Sequence, residues 1–477
     1  MSLFSTSDNA RVIWDHPFHW TGEHMGSNDL RGLLVSYDRL ATDALDKLDE
    51  ISPPKSKSWR CPHGSGPGQH DYFQLLQDHS ERDATLTALW KEVSTVPDWV
   101  DWDQIRRGQL VVYQYCGQFL LGLLYNSLMG GMGASRVVET LGKTGGFGVN
   151  VAKRRLLETL QHFLDVVYDL DSIKPGGKGY TSSVRVRFLH ASVRRRIMQL
   201  AAQKPGYFDV EENGVPINDL HCIGTIAAYS VALIHLSLPR QGISLTQQQI
   251  ADYLALWRWV GYIMGTPVDW METPERAKAM LESVMVYEIA PSPKSAILAN
   301  NVLTAESYTP PLDAPRELLA AYAYRLNGSA LCEALQIERP PLQFHLVVRL
   351  QLLTLMCVGY SYPWWPASLK QCFEMKFKRT LHQMISSPKL GNLHEDMKFE
   401  LQYVPELDKT TELGAYEKGT SVSTASKRGW RSFLAHMVLL VCILLAVVAF
   451  LQPRLSGAMV HWAASVLPPS QVMGKLN

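Results

Sequence analysis

From Asp71 onward one signal repeats along the chain. Apolar residues recur at helical spacing at about 71–94, 104–130, 151–170, 181–203, 219–236, 246–264 and 273–289, and again at about 316–336 and 342–360. Alternation with a period of two, the mark of a half-buried strand, is scarce. A chain patterned this way buries its apolar faces by packing helix on helix, so the expected fold class is all-α. Pro97–Asp103 (PDWVDWD) and Ser172–Gly179 (SIKPGGKG) break the pattern, and Pro291–Pro315 reads as a further breaker region. Residues 51–69 mix Pro, Gly, Ser and Lys and predict no regular element. They set off an N-terminal arm and linker, 1–70, from a helical domain over 71–405.

The C-terminal part obeys a different rule. Phe433–Leu451 (FLAHMVLLVCILLAVVAFL) carries no charge and has the length needed to cross a hydrocarbon core of about 30 Å. A polar linker, 406–432, precedes it and a short tail, 452–477, follows, so a single transmembrane helix over 433–451 is expected. A buried core helix is the competing reading. Lys427, Arg428 and Arg431 crowd the N-terminal flank, which by the positive-inside rule leaves the main domain cytoplasmic. Insertion so late in synthesis points to the endoplasmic reticulum. The first thirty residues hold no apolar segment of the secretory kind. Seven scattered cysteines without CxxC spacing suggest neither a disulfide framework nor a zinc ribbon. A net charge of +1 provides no field for nucleic acid, which is set aside as a partner.

Chemistry concentrates in Thr181–Leu200, TSSVRVRFLHASVRRRIMQL. Val186, Leu189, Val193, Ile197 and Leu200 form an apolar helical face, and His190 falls on it. Such a histidine is either a satisfied core residue or a ligand. Arg185, Arg187, Arg194, Arg195 and Arg196 surround it, and haem brings two propionates that need cationic partners when partly buried. One apolar-face histidine with flanking arginines therefore suits a haem b site, with His190 on iron and Arg194 among the cofactor-binding residues. A solvated basic face is the alternative for part of the arginine set.

Upstream, Arg136 and Thr140 stand four apart on one helical face. A guanidinium and a hydroxyl so placed can polarise dioxygen or a substrate oxygen, or the Arg can simply pair with Glu139. Gly142-Lys143-Thr144 lacks the earlier glycine of a phosphate loop, since Val137 stands there. Gly146-Phe147-Gly148 lacks the third glycine of a dinucleotide fingerprint, with Val151 in its place. No HExxH, GxSxG or paired carboxylate-rich ExxH motif is present. Cys61, His63 and His70 lack a fourth zinc ligand at conventional spacing.

The segments PDWVDWDQIRRGQ (97–109), RVVETLGKTGGF (136–147), GYTSSVRVRFLHASVRRRI (179–197), GVPINDLHCIGTIAAYS (214–230) and LWRWVGYIMG (256–265) together resemble, in order and spacing, one family. It is that of the ER-bound oxygenase of mycophenolic acid biosynthesis and the bacterial rubber oxygenases called latex clearing proteins. The resemblance covers roughly 70–290 and, more weakly, the helices to about 400. It implies a globin-like helical core with one b-type haem, His190 as proximal ligand, and Arg136 and Thr140 on the distal side. Where the latex clearing proteins carry a lysine before that threonine, this chain has Glu139. The implied activity is insertion of dioxygen across an alkene of a lipophilic or isoprenoid-like substrate, with oxidative cleavage of the C=C bond. A peroxide-using haem enzyme and a non-enzymatic haem- or lipid-binding protein remain alternatives. No flavin or nicotinamide site is evident, so any external electrons would come from a separate donor.

Overall fold

In a computed structural model of the chain, residues 9–53, 71–144, 147–309 and 314–386 are described. Among them the sole sheet is an antiparallel hairpin, β1 (Ala10–Ile13) against β2 (His16–His19), and the rest of the regular structure is helical. The expectation of an all-α fold is met.

The N-terminal region folds into the same core as the rest. After α1 (Ser27–Val35) comes α2 (Arg39–Ile51), capped by Asp38, whose carboxylate accepts from the Ala41 N–H. Ala41, Ala44, Leu45 and Leu48, spaced to share one face, are completely buried. The next stretch splits at Ser80–Asp83 into α3 (Tyr72–His79) and α4 (Ala84–Ser94), because Asp83 caps a new helix there. Asp101 likewise caps α5 (Trp102–Gln114), which α6 (Cys116–Leu121) continues.

Beyond α6 the helix widens into a π-helical segment, Gly122–Gly130. Then follow α7 (Ser135–Lys143), α8 (Val149–Val167), α9 (Leu170–Ile173), α10 (Lys178–Gln203), α11 (Val210–Asn213) and α12 (Asp219–Tyr229). A bend of 43° separates α12 from a second π-helical segment, Leu233–Ser237, and α13 (Leu238–Arg240). The two π segments pack on each other, and a Cβ on Gly122 would lie 2.5 Å from the Ser237 Oγ. A larger residue there would require the Ser237 and Leu233 side chains to move aside.

The chain continues through α14 (Gln247–Ile263) and α15 (Pro274–Glu288) to α16 (Pro293–Glu306). That last helix occupies the region expected to be irregular. Its proline stands at the first helical position, where the absent N–H costs nothing, and Ser292 caps it. The described chain ends with α17 (Arg316–Asn327), α18 (Ser329–Ala334), α19 (Leu342–Ser361) and α20 (Ala367–Ser386). α10 forms the axis of the larger cluster of buried residues, flanked by α2, α3, α8 and α14. A smaller cluster gathers α16, α17 and α19 against the first π segment.

The segment Phe433–Leu451, read from the sequence as a membrane span, lies outside the described residues, as do 406–432, 452–477, Cys61, His63 and His70. Among the described residues one stretch, Leu342–Trp364, is by length and composition able to cross a membrane.

Candidate active site

His190 lies midway along α10. The surrounding protein buries most of it, and it keeps partial accessibility. It makes no side-chain hydrogen bond among the described residues. Burial, aided by the charge of Arg194 and by His162, pushes its imidazole down to about 4. His190 is therefore neutral at physiological pH, the form that binds a metal.

The neighbouring arginines are mostly committed to the fold. Arg187, buried, makes a two-point contact with Asp38 at 2.6 and 3.0 Å and reaches Glu92 at 2.8 Å. Arg185 pairs with Asp71, and Arg195 with Asp46 and Asp49. Arg194, one turn beyond His190, donates to the carbonyls of Pro216 and Ile217 and to the Thr42 Oγ1. Ile217 has φ 54°, a conformation a β-branched residue rarely adopts, and the Arg194 contacts brace it. The next residue, Asn218, caps α12 by accepting from the His221 N–H and donates through Nδ2 to Val215 O and to His221 Nδ1. Arg194 thus couples the helix of His190 to that of His221.

That coupling fixes a tautomer. Since His221 Nδ1 accepts, the hydrogen-bond network assigns the proton to Nε2, and Nε2 has no hydrogen-bond partner. It stands 3.9 Å from Oε2 of Glu288, which is likewise buried without a partner. The other oxygen of Glu288 accepts from Arg136 Nη1 at 2.8 Å, while Arg136 Nε donates to Glu212 O. Burial raises the Glu288 carboxyl above its usual range against the pull of Arg136, and burial together with Arg136 lowers His221 to about 3. Thr140, one turn from Arg136, is buried, and its hydroxyl also lacks a partner. Glu139 pairs with Lys294 of α16.

His221 and Glu288 line a cavity of about 570 Å³, within the range typical of ligand and cofactor sites. Its wall is mainly apolar, built from both π segments, α8, α12, α15 and the far end of α20. Trp14, at the hairpin turn, closes part of it and donates its indole N–H to Ile289 O. Val137 and Leu141 bring α7 to the wall, whereas Arg136, Thr140, His190 and Arg194 are not among its lining residues. The site expected from sequence is therefore distributed: Arg136 meets the cavity through Glu288, and His190 stands beyond it with Arg194 and His162.

The family of the chain follows from its sequence. A model of the ER-bound oxygenase mpaB/B'/rubber oxygenase catalytic domain matches residues 113–355, just over half of the chain. The chain belongs to this family. Among solved structures, latex clearing protein in the closed state is similar with a TM-score of 0.50 and 19% identity, over 73% of this chain and 90% of that one. A comparison with curated proteins finds no match. The matched residues include both π segments, α7, α8, α10, α12 and α15, the elements that carry Arg136, Thr140, His162, His190, Arg194, His221 and Glu288.

Sequence reasoning missed two residues. Glu288 ends a helix whose pattern looks ordinary, and only the tertiary fold brings it to Arg136. His162 of α8 receives no emphasis from sequence; its Nδ1 lies 2.9 Å from Ser182 Oγ. That hydroxyl spends its hydrogen on Gly179 O, so Nδ1 carries the proton and the buried, unpartnered Nε2 presents a lone pair.

Proposed function

We propose that this oxygenase-family chain is a membrane-anchored, haem b-dependent enzyme that uses dioxygen on a lipophilic, isoprenoid-like substrate and cleaves it oxidatively at a C=C bond. The observation that carries the reading is His190: neutral, without a side-chain hydrogen bond among the described residues, and midway along the central helix α10. One neutral imidazole is the donor that a b-type haem iron requires from the protein. His190 would hold the group through its neutral imidazole, and Arg194 steadies the join between its helix and α12. Haem, when bound, supplies the redox chemistry on dioxygen.

The other roles belong to the chain's own groups. Arg136 acts on the site through Glu288, whose carboxylate it holds at the cavity wall, and Thr140, buried one turn away, keeps a hydroxyl available to donate a hydrogen bond toward the oxygen substrate. Glu288, lifted by burial, is suited to take up or release a proton at Oε2, opposite the Nε2–H of His221. The apolar wall binds and orients a hydrocarbon and excludes water. The flanking Lys427, Arg428 and Arg431 support a single-pass anchor at 433–451 with the main domain in the cytoplasm, at the endoplasmic reticulum.

A pyridine haemochrome assay on the purified full-length protein tests the reading, with one b-type haem per chain expected. Carbonyl products formed from an alkene-bearing lipid under dioxygen, and not when peroxide replaces dioxygen, test the activity. A folded, haem-supplied preparation without a Soret band overturns the proposal.

A further inference from the structure

α19 is apolar nearly all round, as helices buried in a core are. Yet only 28% of its most apolar stretch is buried. Leu342, Leu346, Leu353 and Tyr360 follow one another at intervals of four and seven residues and so share one face, and all are exposed. Leu342 is 73% exposed, and beyond the helix Trp364, Leu369 and Met375, the last at 58%, are exposed as well. Scattered exposed hydrophobics need no explanation, but a contiguous aligned row does.

The surroundings identify what covers it. Tyr360, Trp364 and Trp365, none of them buried, lie where α19 meets α20, the amphipathic aromatics favoured at a membrane–water boundary. Between 342 and 386 the chain carries five basic residues, Arg349, Lys370, Lys376, Lys378 and Arg379, against the single acidic Glu374. An apolar stripe with a cationic fringe fits anionic phospholipid. The same polypeptide then runs from α20 to the charge-free segment Phe433–Leu451. α20 also links this surface to the cavity: Met375 is exposed on its first half, and Leu381 and Met384 of its second half line the wall.

We infer that the α19–α20 face lies in the interfacial layer of an anionic bilayer, as a docking surface separate from the C-terminal segment, with α20 leading from lipid to cavity. The docking stands independently of the enzymatic reading; only the substrate route along α20 rests on it. Arg349, the charged residue within the stripe, reaches the phosphates by its long stem.

A nitroxide placed at position 353 through a bio-orthogonal amino acid reports on this directly in the full-length chain, reconstituted in phosphatidylcholine–phosphatidylserine vesicles. The expected result is collision with dissolved oxygen several-fold more frequent than with a water-soluble nickel complex, and the reverse for the same label at exposed Glu211. A label at position 346 repeats the reading should the first protein fail to fold. Free access of nickel to position 353 overturns the inference. Shielding from both reagents also overturns it, since that marks coverage by Phe433–Leu451 or by a second copy of the chain. Because no turnover is measured, an inactive or haem-free protein leaves this result intact.

Discussion

Arg136 and Glu288, 152 positions apart in sequence, meet at 2.8 Å between Nη1 and Oε1, and leave the second carboxylate oxygen of Glu288 unpartnered at the cavity wall. The guanidinium opposes the upward push that burial exerts on this carboxyl. In Arg136→Ala the Glu288 pKa should rise further, moving the acidic limb of the pH–rate profile to higher pH. Glu288→Gln should abolish that limb and lower turnover about 10²-fold or more, the usual contribution of a positioned acid or base. An unchanged profile in both variants would remove Glu288 from the chemistry.

His190→Ala should lose most of the haem, whereas Thr140→Ala and His221→Ala should keep it and lose turnover. Haem content per folded chain decides this. His162 is the control that matters, because its Nε2 also presents a buried lone pair. Retention of haem in His190→Ala together with loss in His162→Ala would transfer the axial role.

Asp38 makes two contacts with buried Arg187 and also caps α2. Removing one partner of a buried pair leaves an uncompensated charge, so Asp38→Ala should cost about 3–5 kcal/mol in denaturant unfolding. Asp46→Ala, which loses an exposed contact to Arg195, should stay within about 1 kcal/mol of the parent.

Four buried histidines make the fold acid-sensitive. Burial lowers His162, His190 and His235 to about 4 and His221 to about 3, from 6.5. Each folded pKa lies below the unfolded one, so the stability these groups contribute is present above pH 6.5. It is lost as pH falls from 6.5 toward 4, where the unfolded chain binds protons that the native state refuses. The loss amounts to at most about 1.4 kcal/mol per pH unit for each histidine. Denaturant midpoints should therefore fall steeply between pH 6.5 and 4, and substituting His235 by Gln should flatten the slope.

The helical architecture was legible from residue 71 onward because long apolar periodicity survives any tertiary context. The helix α16 was hidden by prolines that mark its start rather than forbid it, and α2 by the low-complexity stretch that follows it. His190 stood out because it interrupts an apolar face among arginines. Most of those arginines prove to be paired with Asp38, Glu92, Asp71, Asp46 and Asp49, partners that the sequence places up to 149 positions away. Spacing along a helix reports what shares a face; it carries no information on which distant carboxylate arrives there. Glu288 escaped for the same reason.

The sequon Asn327-Gly328-Ser329 offers a last check on topology. Asn327 is buried, and its Nδ2 donates to Tyr125 O, so a folded domain would not display it in either compartment. Glycosidase treatment is therefore uninformative for the folded chain. Protease added outside intact microsomes should digest the main domain, and full protection of that domain would place it in the lumen.

The two packed π segments bear on how the cavity can change over evolutionary time. A π turn holds one residue more than an α turn can accommodate, so its shape depends on chain length as well as on side-chain identity. Deleting a single residue between Gly122 and Gly130 would return that wall toward α-helical winding and rotate the residues beyond it by about 100°. A relative could thus keep the rest of the lining side chains and still enclose a differently shaped space. In this fold, substrate range is open to alteration by insertion and deletion inside a helix, a change that comparison of aligned residue types alone would overlook.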